Sequence, residues 1–402
     1  MEIKADEARL KHVMEPDDFS LVLGGPLYQL FRRAQLSDSV LGHLRKRILF
    51  ISLFTWLPLL ILSVMEGTAI GNVKVPFLMD IEAHARYLLA LPLLIAAELI
   101  VNERLRSVLR NFLNRKLIPE DSRGRAEAAL FSAFRLRNSV IAELILILVV
   151  YTFVVVVWGR HFVMHTATWY ASVGDDGKLK PTLCGLWYGY ISIPIFQFIL
   201  MRWYFRLFIW ARFLWQLSRI KLDLVPTHPD NVGGLGFLAN TVYAFAPILA
   251  AHGVLLSSMI ANRIFYMGAK LPDFKIEICA MLLLVLAIVL CPLLVFMPQL
   301  SRAKRKGLTE YGTLAMRYVR EFDQKWLRDG AGSDEALIGS ADIQSLADMG
   351  GSFDIIRGMR LIPFTTQALA QLAIITLLPL FPLLLTMFSL TQLIDRLVST
   401  IL

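Results

Sequence analysis

Seven long apolar stretches constrain this chain more than any other feature of its sequence. A helix needs roughly 20 consecutive apolar residues to cross the hydrocarbon of a bilayer, where its backbone must satisfy its own hydrogen bonds. The sequence contains seven stretches near that length, at 48–64, 87–101, 140–159, 186–210, 238–260, 276–298 and 365–388. We therefore predict an all-α fold, a polytopic membrane helix bundle with about seven transmembrane helices.

Composition supports the same fold class. Hydrophobic residues make up 56% of the 402 residues and charged residues only 18%, against about 25% charged residues in ordinary soluble domains. The stretch at 87–101 is short and contains Glu98. An even number of spans would follow if this second stretch did not cross the membrane.

The distribution of Lys and Arg predicts the orientation, because positively charged segments resist translocation and accumulate in the cytoplasm. With a cytoplasmic N-terminus, 32 of the 41 basic residues fall in the inner segments 1–47, 102–139, 202–237 and 299–364. We expect the N-terminus in the cytoplasm, the C-terminus outside and a multi-pass location in the cell inner membrane. Residues 1–19 lack the apolar core of a cleavable signal peptide, so the first span is expected to direct insertion. The net charge of +9 is spread over all inner segments, so no nucleic-acid partner is predicted.

The inner segments are expected to contain helices of their own. Apolar residues recur at helical spacing in 308–327, which predicts an amphipathic helix that extends the sixth span. Two short helices are predicted at 342–349 and 352–359, separated by Gly350 and Gly351. These helices and 102–139 would form a compact cytoplasmic layer or, alternatively, lie among lipid headgroups.

Three units follow from these patterns. They are a cytoplasmic N-terminal segment with an amphipathic helix (1–47), a seven-helix transmembrane domain that includes the cytoplasmic layer (48–388), and an amphipathic C-terminal tail (389–402). Ser389 and Gln392 in the tail have the spacing of a capping box.

The loop at 226–237 is the most distinctive polar segment. It contains the candidate residues His228, Asp230, Gly233, Gly234 and Gly236. Glycines permit positive φ angles or close approach, and backbone N–H groups in such a loop can hold an anion. The glycine spacing matches neither a dinucleotide fingerprint nor a P-loop. A rigid turn packed against the cytoplasmic layer is the alternative interpretation.

This loop, together with the stretches at 342–348 and 359–364, resembles a family of bacterial multi-pass inner-membrane proteins that has no assigned activity. The resemblance implies a bacterial inner membrane and supplies no function. In topology alone, the seven spans and the inner N-terminus are also similar to those of the insect odorant and gustatory receptor channels, with which the chain shares no motif.

Polar residues within the spans are the candidates for a transport pathway. Ionisable groups are expensive in hydrocarbon and often functional, which draws attention to Glu98 and Glu143. The alternative role for these carboxylates is an interfacial ion pair with Arg137 or Arg202. In the seventh span, Gln367 and Gln371 share a helix face and Thr376 adds a hydroxyl. These three side chains are expected to line water or to bond a neighbouring helix.

Three histidines on the predicted outer side are candidate metal ligands: His84, His161 and His165. The last two are four residues apart and would lie on one helix face, a spacing that suits zinc or copper. Ordinary interfacial histidines are the alternative, and no cofactor is predicted.

These observations favour a channel or channel-like transport protein that forms a homo-oligomer and passes ions or small solutes. The alternative is a membrane-embedded sensor or scaffold that docks a soluble partner, or binds a small molecule, on its cytoplasmic layer. Membrane lipids are the expected neighbours in either case. No nucleophile elbow or metal-binding helix motif is present in the sequence, so an enzyme is not predicted.

Overall fold

A computed structural model describes residues 42–161, 168–173, 179–328, 330, 332 and 340–387. The predicted tail helix and all but the end of the 1–47 segment lie outside these residues. Within them, six helices are long and apolar enough to cross a membrane: Leu44–Met65, Ile81–Phe112, Leu183–Ser218, Gly236–Met267, Leu271–Trp326 and Thr366–Thr386. A bent pair, Glu120–Arg137 and Val140–Val154, gives a seventh if its 47° break lies within one span. The predicted all-α fold with several helices long and apolar enough to span a membrane is confirmed at this level.

The helices are numbered in chain order. They are α1 Gly42–Met65, α2 Ile81–Ala85, α3 Leu91–Asn114, α4 Arg123–Arg137, α5 Val140–His161, α6 Leu183–Trp187, α7 Ile193–Ser218, α8 Ala239–Ala244, α9 Ala246–Met267, α10 Lys275–Leu290, α11 Met297–Trp326, α12 Ala341–Gly358 and α13 Thr366–Leu377. A small antiparallel hairpin pairs β1 Ala171–Val173 with β2 Leu179–Pro181.

Prolines change the pitch of several spans without ending them. The π-helical turns Arg86–Ala90 and Tyr188–Ser192 join α2 to α3 and α6 to α7, and each is followed closely by a proline, Pro92 or Pro194. A proline lacks the N–H that would bond the preceding turn, so this turn widens. Tighter 3₁₀ turns occur at other prolines, in Cys291–Phe296 and Leu378–Thr386.

Helix α9 lies near the centre of the bundle, where it packs against α2, α3 and α13. Its Gly253 abuts the backbone carbonyl of Thr376, and a Cβ atom at this glycine would overlap that carbonyl. The Ser257 hydroxyl donates a hydrogen bond to the Pro379 carbonyl at 2.6 Å. The close approach of the two helices therefore depends on a residue without a side chain.

One end of the bundle carries a compact layer, here called the helical layer, formed by residues 115–137, 219–238, 299–328 and 340–364. The backbone N–H of Asp223 donates to the Leu117 carbonyl at 2.9 Å. Gln299 donates to the Ile220 carbonyl at 2.7 Å. These contacts join segments that are far apart in sequence, which favours the compact arrangement over separate helices lying among headgroups.

Several predicted boundaries differ from the structure. The apolar stretch at 87–101 belongs to the much longer helix Ile81–Phe112, so its shortness in sequence was misleading. Helix α11 begins at Met297, before the start predicted at 308. It continues through Gly307, whose backbone packs closely against the Pro226 side chain. The two short helices predicted at 342–349 and 352–359 are one helix, α12.

The opposite end of the bundle is organised by Asp80. Its carboxylate accepts the backbone N–H groups of Glu82 and Ala83, which begin α2. It also accepts the indole N–H of Trp169 and the amide of Asn262, both at 2.8 Å. One buried side chain thus connects α2, the segment before the hairpin and α9.

Candidate functional site

Glu98 lies in a buried cluster of charges where α1, α3 and α7 meet. Its Oε2 accepts a hydrogen bond from Arg47 at 2.7 Å, and its Oε1 accepts one from Arg206 at 2.9 Å. Glu98 is 8% exposed and Arg206 is 9% exposed. Because both carboxylate oxygens are engaged by guanidinium groups, the site has the chemistry of a structural ion-pair network.

Glu143 and Arg202 extend this cluster. Arg202, also buried, interacts electrostatically with both glutamates. Glu98 and Glu143, the two carboxylates predicted to line a pathway, therefore both interact with the same group of arginines.

The hydrogen-bonded partners of Glu98 are Arg47 and Arg206, whereas of the two arginines proposed from the sequence, Arg137 and Arg202, Arg202 contributes an electrostatic interaction. Arg206 lies one helical turn beyond Arg202, and Arg47 ends the basic run before the first apolar stretch. This spacing was the signal that could have identified them.

The polar residues of α13 do not form a single site within the chain. Gln367 and Gln371 are exposed on the outer face of the helix. Thr376 is fully buried on the opposite side, against α9, and its hydroxyl donates to the Leu372 carbonyl at 2.7 Å. The two glutamines and the threonine thus face different surroundings.

Asp230 is the centre of the loop at 226–237. Its Oδ1 accepts the backbone N–H groups of Val232 and Gly234 at 2.9 and 3.1 Å, and its Oδ2 accepts that of Gly236 at 2.8 Å. The Nδ1 atom of His228 lies 3.0 Å from Oδ1. Asp230 therefore occupies the position that an external anion would take in such a loop.

The glycines of this loop are explained by the same geometry. Gly233 and Gly234 have backbone φ angles of 65° and 96°, which residues with a side chain rarely adopt. A Cβ atom on Gly236 would come within 2.9 Å of the Asp230 carboxylate. Positive φ angles at two glycines and a close approach at the third were the features expected from the sequence.

Two arginines join the loop to other segments of the helical layer. Arg115 donates to the Gly234 carbonyl at 3.1 Å. Arg360 donates its backbone N–H to the Asn231 carbonyl at 2.7 Å and its guanidinium to the Asp230 carbonyl at 3.2 Å. The loop is a rigid turn that ties the end of α3 to the segment before α13.

The surroundings of Asp230 favour its charged form. Partial burial raises the pKa of this carboxyl, but the three backbone N–H bonds, with His228 nearby, outweigh burial and bring its pKa below the ordinary value of 3.8. The carboxylate is consequently ionised at neutral pH and holds the loop closed.

The candidate metal ligands can be placed only in part. His84 accepts a hydrogen bond at Nδ1 from the indole of Trp56 at 2.9 Å, and its ring packs edge-on against Phe77. The side chain of His161 and the whole of His165 lie outside the described residues. Among the residues that are described, no group of three or more His, Cys, Asp or Glu side chains is arranged to hold a metal ion.

Sequence reasoning missed a pair of cavities along α7. One, of about 790 Å³, lies between the end of α7 and the start of α11, and the other, an open surface depression of about 500 Å³, lies between α7 and α10. Residues distant in sequence line both cavities, so no local motif indicates them.

Comparison of the chain with protein-family models, with curated proteins and with solved structures finds no match in any of the three.

Proposed function

We propose that the protein is a homo-oligomeric, channel-like transport protein of the cell inner membrane, with its N-terminus in the cytoplasm and its pathway between subunits. The observation that carries the proposal is the exposed pair Gln367 and Gln371 on α13. Two side-chain amides on the surface of an otherwise apolar helix are expected to contact water or a polar group, because burying an amide in hydrocarbon without hydrogen bonds is energetically unfavourable.

The other pathway candidates are already engaged within the chain. Glu98 is bonded to two arginines, and Thr376 is bonded to its own helix. Their engagement argues against a pathway through the interior of one subunit. It supports a pathway formed where the exposed faces of several α13 helices meet around water.

The test replaces both glutamines with leucine and compares the variant with Q367N/Q371N, which keeps the amides. Potassium and chloride flux into liposomes is measured together with the size-exclusion profile of the same preparation. We expect Q367L/Q371L to keep its oligomeric profile and lose flux, since an apolar constriction dries, while the asparagine variant keeps both. Unchanged flux in Q367L/Q371L would overturn the proposed pathway.

A second candidate function, a scaffold for a soluble partner, is favoured by the hairpin of α11 and α12. Lys325 forms an ion pair with Asp342 at 2.9 Å, and the Tyr318 hydroxyl donates to the Asp342 carbonyl at 3.0 Å. The hairpin also exposes Leu314, Met316 and Val319. Exposed apolar side chains on a braced helical pair suit protein recognition.

The two functions make different predictions for L314S/V319S. A scaffold would lose a defined co-purifying protein in this variant and retain it in Q367L/Q371L. A channel would lose flux in Q367L/Q371L and retain it in L314S/V319S.

A further inference from the structure

The two cavities along α7 form one groove. Trp215 and Val295 line both of them, so the cavities meet at this pair of side chains. The combined groove runs from the space between α7 and α10 towards the start of α11. The volume of the first, about 790 Å³, falls within the range of small-molecule binding sites, about 300–1,000 Å³.

The part of the groove between α7 and α10 is apolar except for Arg212. Phe208, Ile288, Pro292 and Val295 contribute to its walls, and Phe208 is 57% exposed. Both helices belong to candidate membrane spans. This part therefore opens on the apolar surface of the bundle, where a hydrocarbon chain would be the natural neighbour.

The part between the end of α7 and α11 is basic. Four basic side chains line it, against the two acidic side chains Asp223 and Glu310; the basic residues are Arg219, Lys221, Arg302 and Lys306. Among these four, Lys306 alone has a carboxylate partner in the described part of the chain, Glu310 at 3.7 Å. The guanidinium of Arg219 lies over the Trp215 ring at 5.1 Å, at the junction of the two parts.

We propose that this groove is a binding site for one anionic phospholipid. The phosphate lies among Arg219, Arg302 and Lys306, and an acyl chain follows the apolar part between α7 and α10. The excess of basic over acidic side chains selects an anionic headgroup over a zwitterionic one. Trp215 stands where the polar and apolar parts meet, the position that tryptophan favours at membrane interfaces.

The alternative ligand, a free phosphate ion, would use only the basic part of the groove. A phospholipid uses both parts, so a block placed in the apolar part separates the two ligands. Ala287 is exposed in that part, and A287W fills it without removing any of the four basic side chains that line the other part. L284W is its control, because Leu284 is an exposed α10 residue that does not line the groove.

The basic part is tested with R302Q/K306Q. Its matched control is R305Q/R320Q, which removes the same charge from exposed positions of the same helix that do not line the groove. The full chain is purified in detergent and titrated with phosphatidylglycerol, phosphatidylcholine or inorganic phosphate. Thermal melting reports the stabilisation, and native mass spectrometry counts the retained lipid.

We expect phosphatidylglycerol to raise the melting temperature of the wild type and one molecule to be retained. R302Q/K306Q should bind it roughly 25-fold more weakly, as two removed charges at roughly fivefold each imply, and A287W should also lose it. Both controls should bind as the wild type does. Equal stabilisation by phosphatidylcholine, an equal effect of phosphate alone, or equal losses in the controls would overturn the proposal.

Discussion

At the scale of single residues, Asp230 shows how a glycine-rich loop can close on an anion of its own. Three backbone N–H groups converge on its carboxylate, from Val232, Gly234 and Gly236. The glycines are needed because the backbone must turn through positive φ angles and pass close to the carboxylate. The sequence predicted this loop as a special turn but left open which group its N–H donors hold.

The charge on Asp230 should contribute measurably to the free energy of unfolding. D230N loses the charge and one acceptor, and we expect it to destabilise the fold by about 2 kcal/mol at pH 7, the scale of a hydrogen bond to a charged group. D354N, at an exposed position of α12, is the control. Thermal unfolding in detergent provides the measurement.

The pH dependence of this difference has a defined sign. The pKa of Asp230 is lowered by folding, so its contribution is complete above the ordinary value of 3.8 and is lost as pH falls through the lower folded value. The wild type and D230N should therefore converge in stability in strong acid. A constant difference down to that range would contradict the role assigned to the carboxylate.

Glu98 gives a second prediction at this scale. E98Q removes the carboxylate that accepts hydrogen bonds from Arg47 and Arg206, and breaking a buried pair in this way costs about 3–5 kcal/mol. E103Q, at an exposed position on the same helix, should change stability by less than about 0.5 kcal/mol. If E98Q had the melting temperature of the wild type but an altered ion flux, Glu98 would be assigned to the transport pathway instead of to a structural ion pair.

At the scale of elements, the periodicity of apolar residues predicted the long helices well and their ends poorly. The second span was underestimated because Glu98 and Asn102, polar residues in its sequence, are buried in the bundle. Gly350 and Gly351 suggested a break in α12 that the structure does not contain. Glycine lowers helix propensity, but tertiary packing of Ile356 and Phe353 against α11 outweighs that preference.

The continuity of α12 is open to a direct test. Cβ atoms at Gly350 and Gly351 would meet open space, so G350A/G351A should stabilise the protein by about 1 kcal/mol or more in total. G307A is the opposing control, because its Cβ would lie 2.7 Å from the Pro226 side chain. Melting temperatures of the three proteins decide the question, and a lower value for G350A/G351A would favour two helices separated by a turn.

At the scale of the whole molecule, the apolar character of the long helices was readable from sequence because bilayer thickness sets their length. Their number was readable only approximately, since the described residues contain six such helices, or seven if the bent pair is one span. The orientation rests on the basic residues, 32 of 41 in the inner segments. The groove along α7 was not readable, since it brings together residues near 215, 295 and 302 that share no local pattern. The outward direction of Gln367 and Gln371 likewise depends on which face of α13 packs against α9.

The orientation predicts the behaviour of reporter fusions. A reporter active only in the cytoplasm should work after Gly332, and one active only outside should work after Gly177 or Leu402, because positively charged segments stay inside. Measuring both reporters at all three sites provides the internal control. A cytoplasmic signal after Leu402 would show an even number of spans.

The attachment of Arg360 to the loop also sets an order for biogenesis. Arg360 bonds the carbonyls of Asp230 and Asn231, yet it is translated 130 residues after Asp230. At roughly 5–20 residues per second, the ribosome needs roughly 6–26 s to cover that distance. During this interval the loop has been translated but lacks its hydrogen bonds from Arg360. The helical layer therefore closes late, and a polypeptide released before Arg360 lacks both the last span and the bonds by which Arg360 holds the loop.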